Sequence, residues 1–382
     1  MSAAPARASP RLARLLGFLN ADPDNLQLIA DAAVAAREEG EPETATQLIG
    51  RYAALSAPTP ALENLKGLIA LDERRYADAV EVFGALVAQD IDDPALRFNL
   101  AWAKAMTMDY EGALALLDDA VVEASPRAPA LKIQMLHHLA RLDEALGAGR
   151  ALASTRPTDT ALMGALAIVA LDAEEVELAR TYASKAGGAH DGLSTLGMLE
   201  LNDDRVDAAL GLFDRALDTY PGDARAQLGK GLALMARGDI ASASAYIDRG
   251  ADLFGHHLGS WVASGWAHFV QRDYAASRAS FDRAMALDDT FAETHGGLAV
   301  LDMLEGHKDS AKRRTEVALR LDPKCFSGAL AQSMILAAAG DQDRADRIVQ
   351  IALRTPIGDD GRTIAQAMAG LGMTAGKAPD NS

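Results

Sequence analysis

Small and large apolar residues alternate along this chain with helical spacing, and in its second half the pattern returns every 34 residues. Segments beginning at His190, Ala224, Leu258, Ala292 and Phe326 carry a small residue at the eighth place (Gly197, Gly231, Gly265, Ala299, Ser333). Their twentieth place is also small (Ala209, Ala243, Ser277, Ala311, Ala345), as is their twenty-seventh (Ala216, Gly250, Ala284, Ala318, Ala352). Phe213, Ile247, Phe281 and Val349 stand at the twenty-fourth. Self-similarity at such a period marks a repeat architecture, in which each helix pair buries its apolar face against the next. Two helices that approach closely need small side chains where their axes cross and large ones in the space between.

The breaks between helices are as regular. Gly238-Asp239, Arg272-Asp273, Gly306-His307 and Gly340-Asp341 recur at one place. Gly there closes the first helix, and Asp, where present, caps the second. Pro221, Pro323 and Pro356 mark where second helices must stop, because Pro cannot continue one. The frame reaches the N-terminal half. Segments at Leu26, Pro60 and Pro94 carry Ala33, Gly67 and Ala101 at the eighth place and Ala45, Ala79 and Ala113 at the twentieth. Two segments are shorter. The one at Ala128 is expected to lose two residues in its inter-helix turn, and the one at Thr160 four after its second helix, around Gly187-Gly188.

These offsets resemble the tetratricopeptide (TPR) family pattern over residues 26–359. The segment at Leu258 carries it most fully, with Trp261, Gly265, Tyr274, Ser277, Phe281 and Ala284. The fourth-place aromatic is mostly missing elsewhere, and Met135 occupies an eighth place. The resemblance implies an all-α fold: a right-handed superhelical solenoid of about ten helix–turn–helix repeats with N- and C-terminal capping helices. Repeats start near 26, 60, 94, 128, 160, 190, 224, 258, 292 and 326. Residues 1–25 read as a tail and capping helix, 360–372 as a C-terminal capping helix, and 373–382 as a disordered tail.

Composition narrows the function. A net charge of −17 opposes nucleic acid and anionic membrane surfaces and suits basic partners. The single cysteine, Cys325, excludes an internal disulfide and fits a reducing, cytoplasmic setting. No apolar run approaches membrane-spanning length, so no membrane insertion is expected. Gly229-Lys230-Gly231 lacks the spacing of a phosphate-binding loop, and no nucleophile elbow or zinc-protease motif is present. The reading is therefore not an enzyme, with no cofactor and no metal. His268 and His295 fall at inward places of adjacent repeats and are expected to form a packed core pair.

The resemblance implies that places two, five, nine, twelve and thirteen of each repeat look into a concave groove. Here those places are rich in Leu, Met and aromatic residues. With Asn99 beside them, the candidate partner-binding residues are Phe98, Asn99, Trp102, Met106, Leu136, Leu232, Met235, Val262, Trp266, Phe269, Met303 and Met334. Met is adaptable at binding surfaces, and a contiguous apolar patch marks an interaction site. The expected partner is another protein, bound as an amphipathic helix or a Leu-rich segment. The rival reading of the stripe is core filled by neighbouring repeats. A scaffold or adaptor leads. A peptide-sensing regulatory receptor, a regulatory subunit of an enzyme complex, and self-association are the alternatives.

Overall fold

A computed structural model describes residues 10–89, 93–357 and 362–363. The chain forms two compact units, Met1–Ala173 and Glu174–Ser382. In the first, α1 (Pro10–Ala21) lies against α2 (Leu26–Glu38) and buries Leu12 and Leu19. Helices then follow in pairs: α2 with α3 (Pro42–Leu55), and α4 (Pro60–Asp72) with α5 (Tyr76–Val87). Next, α6 (Pro94–Met106) precedes the two short helices α7 (Tyr110–Leu116) and α8 (Asp119–Ala124). The unit closes with α9 (Ala128–His138), α10 (Leu142–Thr155) and α11 (Thr160–Asp172).

The second unit starts with α12 (Val176–Lys185). The pairs α13 (His190–Asn202) with α14 (Val206–Thr219) and α15 (Ala224–Ala236) with α16 (Ile240–Phe254) follow. After them come α17 (Leu258–Val270) with α18 (Tyr274–Leu287), α19 (Ala292–Leu304) with α20 (Lys308–Leu321), and α21 (Phe326–Ala338) with α22 (Gln342–Leu353). Two short strands, β1 (Pro356–Ile357) and β2 (Arg362–Thr363), pair antiparallel beyond them.

Local chemistry sets these boundaries. Asn25, Thr59, Asp93, Asp159, Asp223 and Asp273 each accept a backbone N–H of the first helical turn. Pro60 and Pro94 open helices where a missing N–H costs nothing. The fifteenth place of nine repeats, and the thirteenth of the shortened repeat at Ala128, has positive φ. Gly holds it at Gly40, Gly238, Gly306 and Gly340, and Arg74, Met108, Ala140, Glu174, Asp204 and Arg272 hold it elsewhere.

The periodic small residues of the second unit are all buried. What they accommodate is the twenty-fourth-place side chain. Phe213 and Phe281 are fully buried, each between two glycines. A Cβ on Gly197 would lie 2.5 Å from the Phe213 ring, and one on Gly229 of the next repeat 2.3 Å from it. Phe281 has the same relation to Gly265, at 2.8 Å, and to Gly297, at 2.6 Å.

Four expectations need correction. The residues missing from the repeat at Thr160 come from its second helix, which has 10 residues where α14 has 14, and the linker after it, residues 186–189, is of ordinary length. The repeat at Ala128 keeps a turn of ordinary length, residues 139–141. Its missing residues come from its first helix, which has 11 residues where α11 has 13. The second helix of the Pro94 repeat breaks at Leu117, because Asp118 caps a new helix by accepting from Val121 N at 3.0 Å. Within the predicted C-terminal helix, Arg362 and Thr363 form β2 instead, paired with Pro356 and Ile357. The remainder of that segment and the 373–382 tail lie outside the described residues.

Candidate functional site: an apolar face on the first helices

In the second unit the first helices α17, α19 and α21 bring half-buried Trp266, Phe269, Leu330 and Met334 together over buried Val300 and Ala331. Helical spacing places Trp266 and Phe269 on one face of α17, three residues apart. The Trp266 ring meets Phe281 edge-on at 5.4 Å and Phe269 at 5.3 Å. Such edge-to-face contacts fix both rings from the inside. Their other surfaces stay partly in solvent. Met303 on α19 is half-buried, and Leu304 beside it is 46% exposed. Leu304 was missed by the sequence reading although it stands at a thirteenth place, one of those the resemblance turns toward the groove. On α15 and α17, Leu232 and Val262 are half-buried as well.

Met235 is only 4% exposed and belongs to a packed cluster with Ala267 of the next first helix. It fills the core and presents nothing outward. Phe98 in the first unit is likewise buried, against Leu131 and Met135 of α9. Leu136 is buried too. Shortening α9 by two residues turns its frame by about 200° at roughly 100° per residue, so the ninth place by numbering is no longer the outward one.

The rest of the first-unit stripe is thinner. Trp102 is half-buried, and the Arg127 guanidinium lies 4.4 Å over its ring. That cation–π contact already occupies one face of the indole. Asn99 is half-buried, and Met106 is 44% exposed. The apolar, uncovered part of the predicted site thus lies chiefly on α17, α19 and α21.

Ion pairs tie second helices to the next first helix. Arg180 reaches Glu200 at 3.0 Å and Asp203 at 2.9 Å; Arg278, at the same repeat place, reaches Asp302 at 2.7 Å and Glu305 at 2.8 Å. Hydrogen bonds from Arg205 and then Arg180 push the Glu200 carboxyl down to about 2.

Among the described residues two triads bring ligand-type atoms within 4.8 Å of one another: Asp302, Glu305 and His307, and His190, Asp191 and Asp223. In the first, Asp302 is already matched by Arg278 and Arg314. In the second, His190 itself contacts both carboxylates. The sequence reading missed this triad, although a His at a repeat's first place with an Asp 33 residues on was visible.

The expected His268–His295 pair does not form. His268 Nε2 faces Asp248 at 3.0 Å, and His295 Nε2 bonds the Asp289 carbonyl at 2.7 Å. Cys325 caps α21 by accepting from Gly328 N at 3.3 Å. Burial first, and the Glu293 charge second, push its thiol up to about 12, which keeps it unreactive.

Among the described residues no helix is long and apolar enough to cross a membrane. No curated protein matches the chain in sequence. A human IFIT1 dimer with m7Gppp-AAAA is similar in structure, at 13% identity and a TM-score of 0.51, over 91% of this chain and 95% of that one. A monomeric IFIT1 mutant with Gppp-AAAA gives 12%, 0.52, 91% and 95%. MamA overlaps 41% of this chain and 92% of its own at 20% identity, with a TM-score of 0.35. The likeness to the IFIT1 structures, at identities this low, speaks for a shared fold alone. The tetratricopeptide-repeat family model matches residues 64–129, 194–256 and 228–290, and the last two stretches include Gly197, Phe213, Gly229, Gly265 and Phe281. Over those stretches the chain matches tetratricopeptide repeats, and its fold is an all-α repeat solenoid.

Proposed function

We propose that this protein is a cytoplasmic, non-catalytic scaffold that holds a partner polypeptide on the apolar face of α17, α19 and α21. The family's fold is generally an interaction scaffold. The observation that carries the finer reading is the Trp266–Phe269 pair, braced from inside by Phe281 and left half-exposed outside. Rigid aromatic anchors of this kind dominate binding energy at protein interfaces. An amphipathic helix with apolar residues at i, i+3, i+4 and i+7 matches a face built of neighbouring helices. A basic outer side on that helix matches the chain's charge of −17. A peptide-sensing receptor or a regulatory subunit would use the same face. The capped oligonucleotide bound by IFIT1 is not carried over, because the likeness concerns the fold and the charge here opposes phosphates.

Selection of a displayed library of helical peptides on the full chain tests this. Binders are then measured by fluorescence anisotropy against the full chain and a Trp266→Ala/Phe269→Ala variant with matching circular dichroism and melting. Basic amphipathic sequences should emerge and lose about tenfold or more in affinity, since truncating an anchor costs roughly 2 kcal/mol. If the double variant fails to fold, Met334→Glu, at the half-buried edge, replaces it. No selected helix, or equal binding to the variant, overturns the reading. Preferential binding of m7Gppp-AAAA would put RNA in the partner's place.

A further inference from the structure

In the second unit His190 opens α13, and its Nδ1 lies 3.1 Å from both Asp191 Oδ1 and Asp223 Oδ2. Asp191 belongs to the first turn of α13, whereas Asp223 is the N-cap of α15 in the following repeat. Asp223 therefore does two things at once. Its Oδ1 accepts from Ala226 N at 2.9 Å, and its Oδ2 accepts from His190. Its side chain is 5% exposed, so this carboxylate is removed from water and depends on its partners. The imidazole also packs on Tyr220, at the end of α14, with ring centroids 4.8 Å apart. Arg225, in the first turn of α15, acts on Asp191 by its charge. Among the described residues, the titratable and charged groups around His190 are thus Asp191 on its own helix, Asp223 and Arg225 from α15 and its cap, and Tyr220 from α14.

We infer that this cluster is a pH-sensitive interlock between successive repeats: protonated His190 ties the start of α13 to the cap of α15, and the tie weakens when the proton leaves. An imidazolium offers charge to two carboxylates within contact distance, while a neutral ring keeps at most one N–H for them. Deprotonation leaves two largely buried carboxylates with Arg225 as the remaining cation.

The direction follows from linkage. The hydrogen bond to Asp223, foremost, raises His190 above its ordinary 6.5. A raised group stabilises the folded state fully below 6.5, and that contribution is lost as pH climbs through the folded value. Burial raises Asp191 above 3.8. Ionising it also becomes a penalty as pH rises, so both groups weaken the junction in the same direction. Glu200, pushed down to about 2 in the neighbouring network, has the opposite sense: its contribution is present above 4.5 and is lost only in acid. The interlock is therefore distinguishable from the surrounding ion pairs by sign alone.

The test uses the full chain. The His190 ring is titrated by NMR. Amide exchange at the starts of α13 and α15, Ala226 N above all, is followed by mass spectrometry between pH 5.5 and 8.5 after correction for intrinsic rates. His190 should titrate above 6.5, and corrected protection at Ala226 should fall with rising pH by about tenfold per unit of elevation. In His190→Gln, which keeps a neutral donor, that fall should vanish. Asp223→Asn keeps an oxygen for the cap and should bring His190 back toward 6.5. Titration of His190 at or below 6.5 in the intact chain overturns the inference even if both variants misfold. A pH-dependent fall that persists in His190→Gln overturns it as well.

Discussion

The repeats from α13 to α18 and those from α6 to α10 solve the same packing problem in different ways. In two of the three former repeats, a buried Phe at the twenty-fourth place enters a slot made by a glycine of its own repeat and a glycine of the next; the middle repeat has Ile247 there. Phe213 sits between Gly197 and Gly229, and Phe281 between Gly265 and Gly297. In the latter, the twenty-fourth place of the Pro94 repeat is Leu117, where the helix breaks. In the repeat at Ala128, counted from its shortened first helix, the place belongs to Gly149. There the filling atom comes from the other side: a Cβ on Gly149 would lie 2.1 Å from Leu166 Cδ2. Large and small have changed places, and the layer is still filled. What the repeat conserves is the sum of volumes across the junction, whichever helix supplies the larger part.

The largest effect expected from breaking this arrangement is Phe213→Ala. It removes a fully buried ring from a slot that glycines cannot close, and should cost about 3–5 kcal/mol in urea unfolding. A loss under about 1 kcal/mol would mean that the slot collapses readily. Next comes Gly229→Ala, which pushes a methyl against a ring with no room to retreat. About 1–3 kcal/mol should be lost. Gly211→Ala on α14, where an added Cβ meets nothing within 4 Å, is the matched control and should gain up to about 1 kcal/mol from helix propensity. Equal effects at the two glycines would show that the slot is not what holds Gly229 small.

In the irregular region the equivalent probe is Asp118→Ala. Asp118 caps α8 and also pairs with Arg97 of α6 at its exposed surface. Losing the cap should cost about 1 kcal/mol. Burial of Leu117 should keep the break itself in place, visible as unchanged helicity by circular dichroism.

The regular lattice was legible in the sequence because its cause is steric and local. Small residues at three offsets can be counted without knowing where anything points. The departures were harder. The two missing residues of the Ala128 repeat could be counted but not placed, since a turn and a helix end look alike in composition. Misplacing them sent Leu136 to the surface on paper, whereas it is buried. The break at Leu117 has its signal in Asp118-Asp119, but the small residues Ala101 and Ala113 keep the regular frame up to it. Of the candidate site residues, most are half-buried or exposed. Burial depth did not follow, because it depends on the next repeat's side chains: Ala267 packs with Met235, Leu131 and Met135 pack with Phe98, and Arg127 lies over Trp102.

The smallest expected effect concerns the positive-φ place of the turn, where all repeats agree in conformation and disagree in residue. A left-handed backbone costs an ordinary residue about 1–2 kcal/mol relative to glycine. Ala140, at φ 55°, holds that conformation with no side-chain polar group to compensate. Its backbone N–H bonds the His137 carbonyl at 2.9 Å, and the residue is exposed, so replacement removes no contact that matters. Ala140→Gly relieves the strain but adds freedom to the unfolded chain, which takes back about 0.5–1 kcal/mol. A net gain of about 0.5 kcal/mol is expected. Gly306→Ala, at φ 82° in the regular region, should move the other way by about 1 kcal/mol. Opposite signs at the two turns, read from paired denaturation midpoints, would show that both regions share one turn geometry and that the first carries it under strain. A loss in Ala140→Gly would mean that this turn has relaxed around its alanine, and that the irregular region differs from the regular one in its turns as well as in its packing.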